Sequence, residues 1–90
     1  MKEYTEQEQA IIRSGVLAEE ALKTPAFASA VNELSEQLAN AIVATDHKDT
    51  EKREILYFTH LGLKEVIGIL NQRVALKQGI EAQAEEQENE

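Results

Sequence analysis

The chain has no cysteine, no tryptophan, a single proline, four glycines and only four aromatic residues in 90 positions. Without cysteine there is no disulfide framework, no thiolate zinc site and no cysteine nucleophile. With so little proline and glycine, few positions can interrupt a helix. No apolar run approaches the roughly 20 residues of a membrane span, and the opening MKEYTEQEQ is too polar for a secretory signal. No membrane association is expected. Basic residues are scarce as well, 9 against 17 acidic ones for a formal net charge of −8. A nucleic-acid-binding module carries a basic face, so direct nucleic-acid binding is not expected.

What remains is rich in Ala, Leu, Glu and Gln, a composition that favours helix throughout. Three breaks divide it. At Lys23-Thr24-Pro25, Thr24 fits a helix N-cap and Pro25 the first helical position, where its missing N–H costs nothing. At Thr45-Asp46-His47-Lys48-Asp49, Asp46 or Asp49 can cap the following helix. Gly79, after Lys77 and Gln78, stands where a C-terminal stop belongs.

Three helices are thus expected, over residues 5–23, 25–44 and 50–78. The first carries Ile11, Ile12, Val16, Leu17, Ala18 and Leu22 without a clean heptad, and its start before Gln9 is expected to fray. In the second, Phe27, Val31, Leu34, Leu38 and Ile42 form one apolar face. The third has a stripe of Leu56, Leu63, Ile67, Leu70 and Val74, with His60 between the first two. A second strip, Ile55, Phe58, Val66 and Ile69, runs beside it. Short connections favour antiparallel neighbours. At 1.5 Å per residue the second helix is about 30 Å long and the third about 43 Å, so roughly two turns of the third overhang. That end holds Leu70, Val74 and Leu76, which call for another chain to bury them.

The charge is unevenly placed. Residues 81–90 carry five acids and no base, leaving a net −3 for residues 1–80. Like-charge runs repel, so the expected organisation is one helical domain over 1–80 and an acidic, disordered tail over 81–90, the alternatives being a docking peptide for a basic surface or a continuation of the third helix once a partner is present.

No set of residues converges on a reaction. His47, Asp46 and Asp49 offer too few ligands, and no turn-forming glycine, for a metal site. His60 reads as a partly buried histidine that hydrogen-bonds a neighbouring helix, with a pH-sensitive contact as the minor alternative. The carboxylate pairs Glu19/Glu20, Glu33/Glu36, Glu51/Glu54 and Glu85/Glu86 fall on solvent-facing positions or the tail, whereas acid–base catalysis needs a pocket. Neither histidine has a glutamate three positions before it, so the Glu-x-x-His pattern of di-iron bundles is missing. Ser14, Ser29 and Ser35 have no nucleophile-elbow context. No cofactor, metal or catalytic residue is expected. The basic residues Lys48, Lys52, Arg53, Lys64, Arg73 and Lys77 alternate with acids and read as a solvated face. Gly62 and Gly68 each cost about 1 kcal/mol relative to alanine inside a helix, which points to close approach of a neighbouring helix there.

From Leu17 to Val74 the chain resembles small proteins encoded among the head and DNA-packaging genes of tailed bacteriophages. The leading segment LAEEALKTPAFASAVNELSEQL and the break TDHKDTEKRE before a long last helix carry the resemblance. It covers about two-thirds of the chain and includes no catalytic signature. It implies a structural or morphogenetic component, located in the virion or the host cytoplasm, and supplies no functional residues to carry over.

The expectation is therefore an all-α fold, three helices in an antiparallel arrangement with a long third helix, oligomeric in use. The expected activity is non-enzymatic assembly through helix–helix contacts with itself or with a capsid, portal or packaging protein. Leu63, Ile67, Leu70 and Val74 are the expected interface, with Gly68 permitting close approach. The alternative is a small acidic regulatory protein that binds and masks a host or phage protein.

Overall fold

A computed structural model describes residues 3–88, and the fold is all-α. Helix α1 spans Glu6–Lys23, α2 Pro25–Ala44 and α3 Thr50–Glu88; there is no strand among the described residues. The chain divides into two compact units. One holds α1 with the part of α3 from Ile69 onward; the other is Thr24–Gly68, which holds α2 and the first half of α3.

Helix α1 is capped at its start, where fraying was expected. Thr5 and Glu8 close a reciprocal capping box: the Glu8 N–H donates to Thr5 Oγ1 at 3.1 Å, and the Thr5 N–H donates to the Glu8 carboxylate at 2.9 Å. Two otherwise unpaired helix-end donors are satisfied at once. The signal was the Thr-x-x-Glu spacing at 5–8.

Helix α2 begins as its sequence dictates, with Thr24 extended at the N-cap (φ −67°, ψ 118°) and Pro25 in the first turn. It ends at Thr45, whose hydroxyl donates to the Ile42 carbonyl at 2.6 Å. Asp46 then organises the connection, its carboxylate accepting from the Lys48 N–H at 3.1 Å. The Asp49 carbonyl accepts the Arg53 N–H at 3.2 Å and so starts α3. Arg53 is not a solvated cation. Its guanidinium reaches back to Thr45 Oγ1 (3.1 Å) and the Asp46 carbonyl (3.2 Å), tying the first turn of α3 to the end of α2.

Helix α3 runs 39 residues, ten beyond the expected length. Gly79 does not stop it. A glycine stop needs a left-handed conformation, and no described glycine has a positive φ. Beyond it Ile80 is half-buried and Ala84 buried. Burial on that side offsets the helical penalty of Gly79, so residues 81–88 are helical rather than a disordered acidic tail. Positions 89 and 90 lie outside the described residues.

Among the buried and half-buried positions of each helix a row at 3–4 spacing can be followed: Glu8, Ile11, Gly15, Ala18 and Leu22 in α1, and Ala28, Val31, Ser35, Leu38 and Ile42 in α2. Ile12, Ser14, Glu19, Ala21, Phe27 and Ala41 are half-buried beside it. In α3 the row is Arg53, Leu56, His60, Leu63 and Ile67 in one unit, then Leu70, Val74 and Lys77 in the other, where Ile80 and Ala84 are also covered. This is the period of knobs-into-holes packing. The core is thin: Ala18, Leu38 and Ala84 are its buried apolar residues, and no large side chain is fully buried among the described residues. Leu34, expected on the inner face of α2, is exposed; Ser35 takes the inward place between Val31 and Leu38.

Candidate interaction surface

In the unit formed by α1 and the second half of α3, small residues set the approach. A Cβ built on Gly15 would collide with Lys77 Cβ and stand 2.9 Å from the Arg73 carbonyl oxygen. With Ala18 buried one turn on, this part of α1 lies directly against α3. The close-approach glycine of the chain is therefore Gly15. At Gly62 and Gly68, where close packing was expected, nothing lies within 4 Å of an added Cβ.

Lys77 crosses this contact. Its ammonium lies 3.0 Å from Glu19 of α1 and 3.0 Å from Glu81, one turn along its own helix. The side chains of Lys77 and Glu19 are only 13% and 25% exposed. Glu19 is thus not the solvated carboxylate its sequence context suggests. The Lys77 amine is held above its ordinary pKa, first by the hydrogen bond to Glu19 and then by that to Glu81. Such a partly buried pair fixes register better than it adds stability.

The other unit presents a different surface. Leu56, His60, Leu63 and Ile67 of α3 are half-buried on its inner side. Each is preceded by an outward residue, giving a parallel row of Ile55, Thr59, Gly62 and Val66, all exposed. One residue is 100° of helix, so this row repeats the inner 4–3–4 spacing one step around the cylinder. Ile55 is 61% exposed, Val66 53%, and Phe58 beside them 65%. The Phe58 ring stands 6.1 Å from that of Tyr57 in a tilted arrangement.

The residues expected at an interface are now placed. Leu63 and Ile67 are half-buried in the unit containing α2, and Leu70 and Val74 in the unit containing α1; Gly68 is exposed. The stripe they form is turned to the inside of its own units. The second strip is exposed, with Ile55, Phe58 and Val66 in one unit and Ile69 in the other, and so are Leu17, Val43 and Leu76 elsewhere.

Groups that could carry chemistry stay apart. No cluster of three or more His, Asp or Glu residues suited to a metal occurs among the described residues. His47 Nδ1 lies 3.1 Å from Asp46, with both side chains largely in solvent. His60 is different: its Nδ1, a polar atom set within the apolar inner row, is buried with no hydrogen-bond partner. The bond to a neighbouring helix expected of it is not made by this nitrogen. Among the described residues no helix is long and apolar enough to cross a membrane. Comparison with protein-family models, with curated proteins and with solved structures returned no match.

Proposed function

We propose that the protein is a non-enzymatic assembly component that works by covering apolar helix surface in a complex with itself or with another structural protein. The row Ile55, Phe58 and Val66 carries this reading. Three large apolar side chains, each more than half exposed, lie at helical spacing on one side of α3. Grouped apolar exposure of this kind marks interaction surfaces, whereas single exposed apolar residues need no explanation. The unit beneath has a thin core, so covering that row adds what two packed helices cannot bury between themselves. An antiparallel course of consecutive helices belongs to the same reading, supported by the short connections and by the Arg53 tie across the second of them.

The setting proposed for this activity is a tailed-phage particle or its assembly in the host cytoplasm. The likeness of residues 17–74 to proteins of the head and packaging gene region supports it. Mass-spectrometric identification and copy counting in purified particles test this reading. Stoichiometric presence supports it. Presence in infected-cell lysate alone overturns it in favour of a regulatory protein that masks a partner.

A further inference from the structure

We infer that residues 79–88 of α3 are helical only while α1 is docked, so that the two make one clasp that closes and opens as a unit, apart from Thr24–Gly68.

Lys77, Ile80 and Ala84 follow one another at three and four positions and so lie on one face of α3. That face meets α1 at Lys77, whose side-chain root obstructs Gly15 and whose ammonium binds Glu19. Further along it Ile80 is half-buried and Ala84 is 8% exposed. A helix cannot bury its own alanine. The cover therefore comes from the other part of the unit, α1 and the residues leading into it.

The stretch has little of its own to keep it helical. Gly79 weakens helix continuation about fivefold relative to alanine. Residues 78–88 carry four acids and no base, whereas 69–78 carry two bases and no acid. Glu81 and Glu85 stand four positions apart and Glu85 and Glu88 three, spacings at which like charges repel. Acids in the last turns also face the negative end of the helix dipole, and no basic residue stands in the last turn to offset it. The counter-charge is Lys77, which holds Glu81 and Glu19 together, each at 3.0 Å. With α1 removed, Ile80 and Ala84 lose their cover and Lys77 loses one of these two carboxylates. The glycine and the repulsions remain. Thr24–Gly68 is held by other means, with Leu38 7% exposed and Arg53 bound to Thr45 Oγ1. Opening the clasp uncovers Leu70 and Val74, half-buried in the closed unit.

Such coupling is reciprocal. Whatever favours the helical state of 79–88 strengthens the docking of α1 by the same factor. Gly79→Ala tests this without touching a contact, since a Cβ there meets nothing within 4 Å. Hydrogen exchange of the full-length chain, read by mass spectrometry, is expected to show α1 and 79–88 protected up to about fivefold more strongly than in the parent, with Thr24–Gly68 unchanged. The gain in α1 decides. If 79–88 stays helical when α1 leaves, the alanine stabilises docked and undocked chains alike. Protection of α1 then stays at the parent's level, which overturns the inference. Gly15→Leu supplies the converse, a wedge that keeps α1 off Lys77. Protection is expected to fall in 79–88 as well as in α1 and to be kept in Thr24–Gly68. Residues 79–88 as protected as in the parent, beside an exposed α1, overturn the coupling. Loss of protection over Thr24–Gly68 as well overturns a clasp that opens by itself.

Discussion

Gly15 of α1 meets Lys77 of α3 so closely that no Cβ fits between them. The obstruction is the root of the lysine side chain and the backbone carbonyl of Arg73, neither of which can swing aside. Gly15→Ala must therefore push the helices apart. Overpacking costs about 1–3 kcal/mol, against roughly 1 kcal/mol gained from alanine's helix propensity. A net loss of up to about 2 kcal/mol is expected in thermal melts followed by circular dichroism. Gly68→Ala is the control: it meets open space and should gain roughly 0.5–1 kcal/mol. Equal effects of the two substitutions would contradict the close contact.

Lys77 gives the contact a pH signature. Its amine binds protons more tightly in the folded chain than its ordinary value of 10.5, mainly because Glu19 accepts its hydrogen bond. A group whose folded pKa is raised contributes below its unfolded pKa and loses that contribution as pH climbs through the folded one. The Glu19–Lys77 contribution should thus persist through neutral and mildly alkaline solution and fade above pH 10.5. Other lysines and the tyrosines also titrate there, so the readout is the difference between the protein and Lys77→Met. Melting temperatures of the two should converge at the alkaline end. A constant gap would refute the assignment.

Leu38 and Leu34 separate the inner face of α2 from its outer one. Leu38 is 7% exposed, and Leu38→Ala should cost about 2–3 kcal/mol. Leu34→Gln, at an exposed position, should stay within about 0.5 kcal/mol of the parent. Comparable losses in denaturant titrations would place Leu34 inside after all.

Those residues also show where the sequence could be read and where it could not. The three helices and both interhelical breaks follow from Pro25, the Asp46–Asp49 cluster and the apolar period, because these act locally. The buried stripe of α3, with His60 in it, was legible too; what escaped was part of the side that α1 and α2 bury. On α2 the inner row places Ser35 between Val31 and Leu38, so a hydrophobicity pattern selects Leu34 instead. On α1 the inner row is Glu8, Ile11, Gly15, Ala18 and Leu22, a regular 3–4 series hidden because two members are small and one is charged. The apolar Val16 and Leu17 beside it face outward. Gly79 reads as a stop because a glycine's conformation is decided by what the following residues can bury. The exposed row on α3 was legible as a second strip, but only the structure shows which of two adjacent rows is left open.

The Glu19–Lys77 bridge joins residues 58 positions apart, and that separation has a consequence during synthesis. Ribosomes add about 5–20 residues per second, so roughly 3–12 s separate the synthesis of Glu19 from that of Lys77. Throughout that interval the Gly15–Ala18 surface of α1 has no native mate. All of Thr24–Gly68 is translated before Lys77, so its two helices can pair while α1 still waits. Helix α1, made before α2 and α3, completes its packing only after both.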